Sequence, residues 1–190
     1  MEGMIRLRHL IPALALLAAI VFAPPTQARQ TNARLDVLFA RLHVTDNLIE
    51  ARGIEAMIWG LWTAAEDDKI DRLMIAGVAA MNAGRYGTAL ENFDAIIEDD
   101  PEFAEGWNKR ATLYYLMGRF EDSIADVERT LALEPRHFGA LSGMGLIYTA
   151  LQDGEAALSW FEQALEVNPH MPAIARRTEM LRKMLKGEPI

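Results

Sequence analysis

The chain contains no cysteine, which excludes disulfide staples, a thiolate metal site, a cysteine nucleophile and lipid attachment through a cysteine. Histidine is scarce as well, with four residues: His9, His43, His137 and His170. His137 and His170 fall in the turns after Pro135 and Pro169, but no third ligand stands in an equivalent position, so a metal site is not expected. There is no Gly-x-Ser-x-Gly, no phosphate loop and no His-Glu-x-x-His. The acidic run Glu98-Asp99-Asp100 lacks the alternating spacing and central glycine of a calcium loop and reads as a solvated helix end. These absences nominate no catalytic residue, no cofactor and no small-molecule substrate, and an enzyme is not expected. Positive charge is also short: 19 Lys and Arg stand against 27 Asp and Glu, a net charge of −8. That balance favours solubility and argues against nucleic acid or an anionic membrane as the main partner.

Long apolar runs are lacking too, with one exception near the start. Arg6 and Arg8 precede an apolar stretch from Leu10 to Ala23, Pro24 and Pro25 break it, and Thr26-Gln27-Ala28 supplies small residues before a cut. This is the pattern of a secretory signal peptide over residues 1–28, cleaved after Ala28. The apolar stretch falls short of the roughly 18–20 residues that span a bilayer as a helix, so an inner-membrane anchor over residues 10–23 is the weaker reading. The expected location is the periplasm.

What the sequence does have is a period. Pro101, Pro135 and Pro169 stand 34 residues apart, and the residues between them recur in type at that interval. Leu73, Trp107 and Leu141 share one column; Gly77, Ala111 and Gly145 a second; Ala80, Tyr114 and Tyr148 a third. Ala89, Ser123 and Ala157 follow, then Phe93, Val127 and Phe161. Large, small and bulky residues at steps of four and three make a helical stripe, and the later columns make a second, so each unit is a helix pair. Gly84 and Gly118 sit where the first helix must turn into the second. The third unit departs here, with Gln152 in that column and Gly154 two residues later.

A 34-residue period with this order of large, small, aromatic, small, aromatic and proline resembles the tetratricopeptide repeat family over residues 70–169. Pentatricopeptide repeats, one residue longer, would need a basic surface that this acidic chain lacks. The expected fold is all-α, a right-handed helical-repeat solenoid. Repeats over 70–103, 104–137 and 138–171 are flanked by a degenerate N-terminal helix pair over 33–65 and a C-terminal capping helix over 172–186. In the N-terminal pair, Ile54, Met57, Ile58, Leu61 and Trp62 form the stripe expected to pack on the first repeat, with Trp59 at an exposed edge. In the C-terminal helix, Ile174, Leu181, Met184 and Leu185 form the packing face, and Arg176, Arg177, Arg182 and Lys183 the solvated one.

The resemblance also implies where a partner binds. The first helix of each family unit lines a concave groove that holds an extended or helical segment of another protein. Carried over by position, the groove presents Asp71, Met74, Val78 and Met81, then Glu105, Asn108, Thr112 and Tyr115, then Ser142, Leu146 and Thr149. Met74, Val78, Met81, Asn108, Thr112, Tyr115 and Leu146 are the nominated binding residues, with Met74, Met81 and Tyr115 as anchors. The methionines have an alternative role as packing between units. The lysines, asparagines and arginine with which some family members clamp a chaperone's C-terminal carboxylate are replaced by Met74, Val78, Lys109, Gly139 and Gly143. Two functions stand: an adaptor or scaffold binding a protein segment in an envelope complex, or a homo-oligomer, a solenoid self-associating through Trp59 and Trp160.

Overall fold

The computed structural model describes residues 33–65 and 67–188; the signal segment over 1–28 lies outside them. Among the described residues all regular structure is helical, in nine helices: α1 (Ala33–Val44), α2 (Leu48–Thr63), α3 (Asp68–Asn82), α4 (Tyr86–Asp99), α5 (Ala104–Leu116), α6 (Phe120–Leu133), α7 (Phe138–Ala150), α8 (Gly154–Val167) and α9 (Pro172–Lys186). Helices α3–α4, α5–α6 and α7–α8 are antiparallel-type pairs stacked in order, forming a helical-repeat solenoid with α9 on the last pair.

The turns explain the punctuation. Gly84 and Gly118 take left-handed φ angles of 70° and 71°, and Gln152, in the same column, takes 63°. The third turn therefore keeps the geometry and loses the residue suited to it. At the other end of each pair, Asp100, Glu134 and Asn168 precede the repeated prolines. Each of their side chains accepts the backbone N–H two residues on, at 3.1, 3.0 and 2.9 Å. The polar residue fixes the turn, and the proline after it prevents continuation of the helix.

Inside the pairs, the small columns make room for rings. The Phe93 ring lies over Gly77 and the Phe161 ring over Gly145, so close that a methyl group on either glycine would collide with the ring. The middle pair has Ala111 and Val127 in these columns and a polar brace beside them. Arg110 donates two hydrogen bonds to Asp126, both 2.8 Å, and one to Asp94 at 2.7 Å. The guanidinium stands against Trp107 and Tyr114, 5.0 and 5.7 Å from their ring centroids. Bidentate charge-assisted bonds of this kind are strong enough to fix orientation.

Two sequence expectations about the flanking elements change. The α1–α2 hairpin does not cap the first repeat: its buried residues Leu35, Phe39, Leu42, Ile54, Ile58 and Trp62 form one cluster with Phe138, and Val167 and Met171 pack against it. It leans on the third pair, because Phe138 offers a buried aromatic seat to the stripe. Met57, on that expected stripe, is 53% exposed. In α9, Ile174 and Leu181 pack inward, but Met184 is 56% exposed.

Candidate functional site

The concave face is divided between the chain's own hairpin and an open groove. On the covered part, the Trp62 indole is stacked on the His137 ring, with centroids 4.2 Å apart and planes within 11°. Trp59 is half-buried, not an exposed edge: it meets His137 and Phe138 edge-on and lies over Gly139, where a Cβ would collide with it. The Lys109 ammonium sits 5.7 Å from its ring centroid. Glu105, assigned to the groove, and Gly139, at one of the clamp positions, are therefore under α2. Polar contacts hold the hairpin's edges: Arg136 donates to Asp36 at 2.6 Å, Asn168 to Glu55, and His170 Nε2 to the Leu42 carbonyl at 3.0 Å.

Beneath Trp62 lies a fully buried carboxylate–imidazole pair. His137 Nδ1 accepts the Ala140 backbone N–H at 3.0 Å, capping α7, so Nε2 carries the proton and donates it to Glu105 at 3.0 Å. Glu105 also accepts from Asn108 at 2.9 Å and meets Lys109 at 2.7 Å. Burial pushes the Glu105 carboxyl up, but the His137 hydrogen bond and the adjoining positive charge outweigh it and hold the group below its ordinary range. It is therefore a carboxylate at neutral pH. This is the geometry of a general base with its orienting partner, yet both side chains have no exposed surface, so no substrate reaches them from outside. Their work here is structural. Both histidines that the sequence set in neighbouring turns seat the hairpin, His137 by stacking and His170 by its hydrogen bond. Among the described residues no cluster of three metal-binding side chains exists.

The open part of the face carries most of the nominated residues. Asn108, Thr112, Tyr115 and Leu146 surround one cavity of about 80 Å³ between α5, α6 and α7, with Ala111, Ser123, Val127, Ala140, Gly143 and Ile147 as its remaining walls. Thr112 is exposed, Tyr115 and Leu146 half-buried, and Asn108 buried. Val78 and Met81 are half-buried on the neighbouring first pair, away from the cavity. Met74 is buried at 8% exposure among Ile70, Phe93 and Leu113, the packing role that methionine often fills. Trp160 is half-buried against the middle core. The role of Val127 in opening the cavity was not read from the sequence, although its signal was there: it is the one non-aromatic residue in the Phe93/Val127/Phe161 column.

A second depression, about 700 Å³, lies on the outer face of the hairpin, lined by Val37, Leu38, Met57, Gly60 and Leu61 beside Ala33 and Arg34. No nominated residue falls in it. No helix among the described residues is long and apolar enough to cross a membrane.

This arrangement, helix pairs stacked on a 34-residue period with a concave face built by the first helix of each, defines a helical-repeat binding scaffold. The family profile described as "Tetratricopeptide repeat" matches residues 76–126 and 108–172, and the chain belongs to that family. A TPR repeat-containing protein of Rhizobium etli is 32% identical over 176 residues, covering 93% of this chain and 86% of that protein. Among solved structures, the Sgt2 TPR domain from Aspergillus fumigatus superposes with a TM-score of 0.59 at 24% identity, over 65% of this chain and 87% of that one. The first TPR of Spaghetti (RPAP3), solved bound to an HSP90 peptide, gives 0.59 at 24% identity over 62% and 94%. At this identity the structural likeness bears on the fold alone.

Proposed function

We propose that this protein is a non-enzymatic adaptor or scaffold that holds a segment of another protein along the open part of its concave face, in the assembly or regulation of a cell-envelope complex. The observation that carries the reading is the cavity between α5, α6 and α7, lined by exposed Thr112, half-buried Tyr115 and Leu146 and buried Asn108. A likeness in fold to a domain solved with a bound peptide supports it. The leader pattern of residues 1–28 supports export to the periplasm with that segment removed.

The test is capture of envelope proteins on the immobilised chain beside a Tyr115→Ala/Leu146→Glu variant, with circular dichroism and melting as controls. A protein held by the parent and lost by an equally folded variant is the expected result; identical capture by both would sink the groove. Met74→Lys is unsuitable, because it would put an ammonium into the core.

Self-association is the second reading, and the outer trough of the hairpin favours it, with Val37 69% exposed beside Met57. Trp59 and Trp160 are packed within the molecule instead. A sedimentation coefficient that does not change with concentration would remove it.

A further inference from the structure

The three repeat pairs are unequal inside. In the first and third, a phenylalanine ring lies over a glycine, Phe93 on Gly77 and Phe161 on Gly145. The middle pair has Val127 and Ala111 in those places, and the alanine methyl restores far less volume than the missing ring removes. Protein interiors close such gaps, yet this one remains as the cavity of about 80 Å³ opening to the concave face.

Its walls say what fits. Ala111, Val127, Ala140 and Ile147 make an apolar interior, with Tyr115 and Leu146 beside the opening. Three polar donors of its wall are engaged within the molecule: Ser123 donates to the Ala111 carbonyl at 2.7 Å, Thr112 to the Asn108 carbonyl at 2.9 Å, and the Asn108 amide to Glu105. The cavity is small, about 80 Å³, and an apolar space of this kind suits the branched end of an aliphatic side chain. Charge gives a direction. The column of Met74, Asn108 and Ser142 continues into α9 as exposed Arg176, and that of Met81, Tyr115 and Thr149 as half-buried Lys183; neither cation forms an ion pair among the described residues.

Resting on the groove reading above, we propose that this cavity is the anchor subsite of the groove: it takes one leucine, isoleucine or valine side chain of the partner segment, whose acidic residues lie toward α9. In the flanking pairs the corresponding places are filled by the Phe93 and Phe161 rings, packed against Gly77 and Gly145. The specificity-determining residue is Val127, and the choice of anchor is made by the volume that it leaves empty.

The experiment selects binders from a random peptide library on the full chain and on an Ala111→Gly/Val127→Phe variant. That variant recreates a glycine–phenylalanine pair the molecule already contains twice, and circular dichroism and melting verify that it folds. Expected is enrichment of sequences with one branched aliphatic position and carboxylates to one side of it on the parent, and loss of that position on the variant. Replacing the anchor by alanine should weaken binding to the parent by about tenfold or more. The same aliphatic anchor on both proteins would overturn the subsite while leaving the groove in place, and so would aromatic or polar anchors on the parent. No enrichment on the parent would defeat the groove reading and the subsite together.

Discussion

The repeat stack and the hairpin beside it are joined to the molecule over different distances along the chain. In the stack each helix touches its neighbour in sequence, as in the Ser123 bond to Ala111 across 12 residues. The hairpin is tied to the far end: Asp36 to Arg136 across 100 residues, Glu55 to Asn168 across 113 and Leu42 to His170 across 128. A stack alone gains stability additively from neighbouring interfaces. The hairpin adds long-range contacts that tie the first helices to the last pair, and it covers part of the concave face that a bare stack would leave open.

The comparison can be broken at its aromatic joint. Trp62 is fully buried and stacked on His137, with no acceptor for its indole N–H among the described residues, so packing supplies its attraction. Trp62→Ala should cost about 3–5 kcal/mol, with hydrogen exchange speeding up in α1 and α2 while α7 and α8 stay protected. Equal loss of protection everywhere would mean that hairpin and stack unfold as one unit. A smaller effect is expected within the stack, where Gly145→Ala sets a methyl against the Phe161 ring and should cost about 1–3 kcal/mol in denaturant unfolding. No measurable cost would show that the ring has room to move. Smallest, and opposite in sign, is the third turn. Gln152→Gly relieves a left-handed φ of 63° worth about 1 kcal/mol and should raise the melting temperature by about 2–4 °C. A lowered value would mean that the glutamine side chain contributes something the turn geometry does not reveal.

The stack was largely legible because its contacts recur at a fixed interval. Gly77 and Phe93 are 16 residues apart, and so are Gly145 and Phe161; the same spacing written twice announces the contact. The turn column was legible for the same reason, and it exposed Gln152 as the departure. Of the groove residues, Asn108, Thr112, Tyr115 and Leu146 meet around one cavity, while Met74 goes inward, since a flexible apolar side chain serves a core and a surface equally well. Glu105 was placed in the groove by its column and lies buried under α2. Its column says which way it points, and only the hairpin decides what meets it there. His137 and His170 stood out as scarce residues in equivalent turns but, lacking a third ligand, suggested no metal site; what the sequence did not reveal is that each seats the hairpin.

The sequence by itself determined the helix pairs, their order, the turns that punctuate them and the face that the first helices share. Helix periodicity and turn chemistry act over a few residues, and the repeat copies them along the chain. Only the tertiary structure decided where the out-of-register hairpin sits, that it covers Glu105 and Gly139, and that the substitution of Val127 for a ring leaves a hole. Those outcomes depend on packing between residues up to 128 positions apart and on volumes summed across three helices, which no local spacing records.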